Sequence, residues 1–221
     1  MFKQSMATLI TILLLIAGWA GSAPASQNAS NATDLDTRVK QFLEGRGRAW
    51  HDLNVPASDG QALYNIIVEH KYKNALEIGT STGHSGIWIA WALSKTGGKL
   101  VTVEVDEGRY REAVANFREA GLSDTIDARL ADAHELVPAL AGPFDFVFCD
   151  ADKDWYKNYF VAVWPKLEPG GVFAAHNVSK GRYGWGAGEF LAYVEGLPDV
   201  VTTFAPGSTA GISITYKNKK N

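Results

Sequence analysis

Apolar positions change their spacing along this chain in a regular order, and that order predicts its elements. Leu63, Ile66 and Ile67 fall at helical spacing within 60–70, so a helix there carries one apolar face. A mixed, polar stretch at 35–51 ahead of it also reads as helix. After residue 75, short apolar runs alternate with helical ones. Strands are predicted at 75–79, 100–105, 125–130, 144–149, 172–175, 200–204 and 211–216. Helices are predicted between them at 85–93, 107–120, 152–167 and about 189–195. A short helix opens near Asp132, whose carboxylate suits a helix start. Pro169, Gly170 and Gly171 read as a turn into the fifth strand. This alternation implies the α/β class, with a seven-stranded, mostly parallel sheet covered by helices on both faces. The last two strands are close in sequence and imply a C-terminal antiparallel hairpin at one edge. No internal repeat and no second domain is visible.

The first residues break this pattern. One lysine and no acid within 1–6 precede an almost unbroken apolar run at 7–20, followed by small residues up to Ser26. A basic start, a short apolar stretch and Ala23 and Ala25 ahead of a cleavage point predict a signal peptide over 1–25. The run falls short of the roughly 20 residues that span a bilayer comfortably. The expectation is therefore an exported, periplasmic or secreted protein with no membrane span in the mature chain. The alternative is anchoring by an uncleaved signal. Residues 26–34, rich in Ser, Asn and Ala, read as a flexible leader, which leaves 35–221 as a single domain. Asn28, Asn31 and Asn177 stand in glycosylation patterns that matter only in a eukaryotic secretory pathway.

Composition narrows the choice of partner. The chain is 221 residues long and 46% hydrophobic, enough for one sizeable core. Its formal net charge of −3 gives no electrostatic case for nucleic acid, which needs a strongly basic face. Cys149 is the only cysteine, which excludes an intramolecular disulfide and a multi-cysteine metal site. It stands in an apolar run and reads as a buried strand thiol.

In an open α/β sheet, ligands bind at the carboxyl ends of the strands. Three strand ends here carry polar groups. The first runs Glu77-Ile78-Gly79-Thr80-Ser81-Thr82-Gly83-His84-Ser85, where glycines let the backbone approach a ligand and the loop opens a helix. Many nucleotide-binding proteins share such a loop, and a plain strand-to-helix turn would also account for it. Glu104 ends the second strand, about 20 residues beyond the loop, where an acid suits two ribose hydroxyls. That spacing serves nicotinamide dinucleotides and S-adenosylmethionine equally. The third cluster, Asp150-Ala151-Asp152-Lys153, faces His176-Asn177 on the next strand end. Oxygen-rich groups beside a lysine can hold a divalent cation and a deprotonated hydroxyl. The bland account of the same residues is a surface ion-pair cluster.

These motifs, in this order, resemble the cation-dependent O-methyltransferase family, which includes catechol and caffeoyl-coenzyme A O-methyltransferases. The likeness runs from about Leu53 to Lys217. Leu53 to Gly60 looks like the segment with which the family's domain opens, and Leu76 to Ile87 like its glycine motif. The resemblance implies a Rossmann-like fold over 35–221 and an S-adenosylmethionine-dependent O-methyltransferase acting on a small hydroxylated, phenolic or catechol-like acceptor. It implies contacts to the methionine half of the cofactor from Val55, Glu77, Gly79, Thr80 and Ser85, with Ser81 as a further cofactor-binding residue. Glu104 would hold the ribose, Ala133 would lie against adenine, and Asp150 and Asp152 would lie beside the cofactor. Lys153 falls where the family places its catalytic base, with Asp150 as catalytic partner. The metal positions are Asp150, His176 and Asn177.

His176 is the departure, because familiar members carry Asp there. Imidazole is a poor magnesium ligand and a better one for zinc, iron or manganese. The expectation is weakened or altered metal binding. The outcomes are a softer metal, loose binding of magnesium or manganese, or chemistry on Lys153 and His176 with no metal. The segment 177–190, with Tyr183 and Trp185, is expected to border the acceptor pocket, with Trp155 as a further wall. A nicotinamide-dependent oxidoreductase would share the first two motifs but leave Asp150 to Lys153 without a role. A catalytically inactive exported binding protein that kept the fold is the second reading, since S-adenosylmethionine is made in the cytosol. Family resemblance also allows a homodimer.

Overall fold

Successive residues of a strand point to opposite faces, and here both faces are apolar, as in a sheet covered on two sides. Ala75, Phe146, Phe148, Val172 and Ala174 pack to one side, and Leu76, Val147, Cys149, Phe173 and Ala175 to the other. The computed structural model describes residues 25–50, 53–183, 186–198 and 200–218. The expected signal peptide lies outside the described residues apart from Ala25, and the expected leader, 26–34, falls in the first part of helix α1 (Ala25–Arg46).

The strands are β1 (Asn74–Ile78), β2 (Lys99–Glu104), β3 (Ile126–Leu130), β4 (Phe144–Cys149), β5 (Leu167–His176), β6 (Val178–Ser179), β7 (Arg182–Tyr183), β8 (Val200–Phe204) and β9 (Ile212–Lys217). Seven of them form one sheet in the order β3-β2-β1-β4-β5-β9-β8. The first five are parallel, while β9 runs antiparallel to both β5 and β8. The expected α/β architecture, with its closing hairpin at one edge, is thus observed. β6 and β7 make a separate two-stranded ribbon.

Helices α1, α2 (Ala57–His70), α3 (His84–Thr96) and α4 (Glu107–Ala120) cover one face. Helices α5 (Ala133–Ala139), α6 (Tyr156–Val163) and α7 (Ala187–Glu195) cover the other. Phe146, Phe148, Phe160, Phe173 and Phe190 are among the largest fully buried side chains. Each contributes roughly 1.5–3 kcal/mol by leaving water.

Two expected bounds are corrected. α6 spans only Tyr156–Val163 instead of 152–167. Pro165 lacks the N–H that a longer helix needs, and a 3-10 turn at Trp164–Lys166 follows. Pro169, Gly170 and Gly171 are not a turn but lie inside β5, where the pairing with β4 shifts register between Phe144 and Phe146. A side chain at Gly171 would meet the Asp145 carbonyl at 2.8 Å, so the irregularity depends on a bare backbone there.

Candidate functional site

Strand order reverses between β1 and β4, and the chains leaving those two strands diverge. A cavity of about 870 Å³ opens at this crevice. Gly79 forms its floor with φ +98°, and a Cβ there would sit 2.8 Å from the Asp150 carbonyl oxygen and 2.9 Å from the Ala151 nitrogen. Only glycine lets the ends of β1 and β4 approach this closely. The loop from Thr80 to Gly83 then delivers Ser81 and Ser85 to the cavity wall and starts α3.

Glu104, at the end of β2, is held by backbone donors. Ser81 N–H donates to Oε2 at 2.7 Å, and the Val105 and Asp106 N–H groups donate to Oε1 at 3.1 and 3.0 Å. The carboxylate is thus fixed in orientation at the cavity wall, with acceptor capacity left on Oε2 for a hydroxyl. Asp132 caps α5 by accepting from His134 N–H at 2.8 Å, which places Ala133 at the wall beside it. Asp152 is fixed from two sides: Tyr159 O–H donates to Oδ1 at 2.8 Å, and His134 Nε2 lies 3.0 Å from Oδ2. The His134 ring stacks on Trp155 with centroids 3.7 Å apart. Trp155 therefore supports the Asp152 side and is not among the residues lining the cavity.

At the opposite wall, Lys153 Nζ donates to Asp150 Oδ1 at 2.6 Å and to the Ala151 carbonyl at 3.3 Å. His176, on the adjacent end of β5, is almost wholly buried. Its Nε2 is hydrogen-bonded to Asp59 Oδ2 at 3.0 Å, and its Nδ1 makes an ion-pair contact with Asp150 Oδ2 at 3.0 Å. Burial alone would lower the His176 pKa, but Asp150 and Asp59 outweigh it and push it up to about 9. Asp59 is itself buried, which would raise its pKa. Hydrogen bonds from His176, Thr209 N–H (2.7 Å) and Ser208 O–H (2.8 Å) hold it well below the usual carboxylate range.

Of the positions expected from sequence, Gly79, Ser81, Ser85, Glu104, Ala133, Asp150, Asp152, Lys153, His176 and Asn177 meet around this one cavity. Glu77 and Thr80 lie behind its wall and are fully buried. Thr102 O–H donates to Glu77 Oε2 at 2.6 Å, and Oε1 has no hydrogen-bond partner among the described residues. Val55 faces a second cavity of about 830 Å³, walled by Trp50, His84, Trp88 and Trp91. The backbone of Tyr183 lies in β7, whereas Trp185 lies outside the described residues.

Asp59, His134 and Tyr159 are structural partners that sequence reasoning missed. Asp59 fell in the Leu53–Gly60 segment, ahead of the helix expected from residue 60, and nothing in the chain's spacing ties it to a residue 117 positions away. His134 adjoins Ala133, so its neighbour's expected place against adenine was the only signal for it.

Asp150, His176 and Asn177 do come together, but they do not suit a hard divalent cation. Both Asp150 oxygens already face nitrogen, and both nitrogens of His176 face carboxylates. Among the described residues no group of three His, Cys, Asp or Glu has the arrangement of a metal site.

The sequence model of the O-methyltransferase family matches residues 29–182. A catechol O-methyltransferase from Niastella koreensis is 38% identical over 130 residues, covering 57% of this chain and 58% of that protein. A caffeoyl-CoA O-methyltransferase from Eucalyptus globulus is 32% identical over 133 residues, covering 58% of this chain and 54% of that protein. The chain thus spans little more than half the length of these curated relatives. The solved O-methyltransferase from Bacillus cereus, in complex with SAH, superposes with a TM-score of 0.70 at 26% identity, covering 86% of this chain and 96% of that one.

Proposed function

This chain belongs to the O-methyltransferase family, and from that premise we propose that it transfers the methyl group of S-adenosylmethionine to an oxygen of a small phenolic or catechol-like acceptor. The observation that carries this reading is Glu104, a buried strand-end carboxylate fixed by three backbone donors beside the Gly79 loop. That arrangement fits a ribose diol, as does its place at the strand-order reversal. The unpartnered Oε1 of Glu77 beneath the loop adds a buried acceptor suited to a cationic amine.

When bound, the sulfonium donor supplies an already activated methyl carbon. The chain's own residues then have two tasks, positioning and proton removal. Ser81, Ser85 and Glu104 orient the donor on one wall, and Asp152 with Ala133 borders the adenine side. Lys153, as the neutral amine, takes the proton of the acceptor hydroxyl and becomes the ammonium, while Asp150 fixes its Nζ. The acceptor oxygen forms the new bond to the methyl carbon, the carbon–sulfur bond breaks, and its electron pair stays on sulfur. The two named relatives act on a catechol and a caffeoyl thioester by their names, which favours a flat phenol as acceptor.

Calorimetry of the chain with S-adenosylhomocysteine tests the reading. We expect micromolar binding that Glu104→Ala weakens by at least about tenfold, the worth of a charge-assisted hydrogen-bond pair. A well-folded chain that binds no S-adenosylhomocysteine would remove the proposal.

A further inference from the structure

His176 fills a position at which a carboxylate would leave Asp150 with a negatively charged neighbour. Here that neighbour is an imidazole clasped between two carboxylates. Asp59 is no passive partner. Its Oδ1 accepts from Thr209 N–H at 2.7 Å and from Ser58 O–H at 3.0 Å, and its Oδ2 from Ser208 O–H at 2.8 Å, so it joins α2 to the β8–β9 loop. With His176 at the end of β5 and Asp150 at the end of β4, three separate parts of the chain meet in an Asp59–His176–Asp150 bridge, hydrogen-bonded at Nε2 and in ion-pair contact at Nδ1. Lys153 closes it on the remaining Asp150 oxygen.

The donor chemistry of this bridge opposes a cation. A hard divalent ion gathers several oxygens, preferably charged ones, around itself. Entering here, it would have to displace Lys153 or His176 from Asp150. It would also have to detach His176 from a carboxylate that is fully buried and itself held by the β8–β9 loop. His176 and Asn177 together supply one charged oxygen fewer than a carboxylate and an amide would.

We propose that His176, held by Asp59, takes the place of a divalent cation in this chain, so that methyl transfer runs without a bound metal. His176 and Asp59 are positioning residues in this scheme. They fix Asp150, which fixes Lys153 Nζ at the acceptor side of the cavity. The inference rests on the methyltransferase reading, but its test is separate.

Manganese is titrated into the chain in the presence of S-adenosylhomocysteine, with free ion followed by electron paramagnetic resonance and cofactor binding by calorimetry on the same sample. The expected result is S-adenosylhomocysteine bound while manganese remains free up to about 1 mM, the loose end of oxygen-ligand sites. Turnover of a catechol should then change by less than about twofold on adding EDTA, where loss of an essential metal cuts rates by orders of magnitude. His176→Asp should gain one manganese site per chain. Should that variant fail to fold, the unaltered chain decides alone. One tightly held manganese per chain, or turnover abolished by EDTA, overturns this inference and leaves the methyltransferase reading standing. Absence of S-adenosylhomocysteine binding removes that reading and this inference with it.

Discussion

A carboxylate buried with one oxygen unpartnered has a strong preference for its neutral form, and Glu77 is such a group. Burial pushes its pKa up to about 7, against the opposing hydrogen bonds of Ser85 and Thr102. The folded chain therefore holds a proton on Glu77 through a range where the unfolded chain, at its ordinary value of 4.5, has released it. Stability falls wherever the folded state binds more protons than the unfolded one and pH rises. The Glu77 contribution is thus fully present below about pH 4.5 and is lost by about pH 7. Integrated over that window it amounts to on the order of 3 kcal/mol. Urea unfolding of the ligand-free chain at pH 5 and pH 7.5, compared with Glu77→Gln, isolates it. The difference between the two pH values should shrink in the variant, and an unchanged difference would show that Glu77 does not titrate there. The glycine motif made Glu77 legible as a site residue. Its burial behind the wall was not legible, because that depends on Thr102, a neighbour across the sheet from another strand.

Elements were readable where their signal is local and blurred where two signals competed. Helix α4 matches its expected bounds, with Asp106 capping Arg109 N–H at 2.8 Å and Gly121 ending it in a left-handed turn. α6 was read too long because apolar spacing continues past Val163, and the proline at 165 overrides it. The turn signal of Pro169 to Gly171 was genuine as backbone permissiveness, but pairing with β4 absorbs it into a strand. The same close approach of β4 to its neighbours governs Gly79. Gly79→Ala would place a Cβ within 3 Å of the Asp150 and Ala151 backbone and hold a non-glycine residue at φ +98°. Backbone cannot yield as a flexible side chain can, so the variant should lose roughly 2–4 kcal/mol. Its urea midpoint should drop, and the affinity for S-adenosylhomocysteine should fall with it because Asp150 and the loop move together. Full retention of both would mean that the two strand ends can separate at little cost.

At the scale of the whole molecule, the sequence order of strands and helices was enough for an α/β sheet with a closing hairpin. The spatial order was not readable, since β1 sits at the centre only through pairings with β2 and β4 that no local pattern encodes. That order matters for function. It divides the sheet into β3-β2-β1 on one side and β4-β5-β9-β8 on the other, with the cavity at the seam. Glu104, Ser81 and Ala133 belong to the first half, and Asp150, Asp152 and Lys153 to the second. A ligand that touches both sets fastens the halves together, so it should raise one cooperative melting transition instead of splitting it. At about 100 times its dissociation constant, S-adenosylhomocysteine would add roughly 2.7 kcal/mol. For a domain of this size each kcal/mol moves the melting temperature by about 2–4 °C. The expected rise is therefore about 5–10 °C by calorimetric or fluorescence melting, still as a single transition. Glu104→Ala at the same ligand concentration should show little of it. A ligand-induced second transition would place the contacts in one half of the sheet only, and would contradict a donor held across the seam.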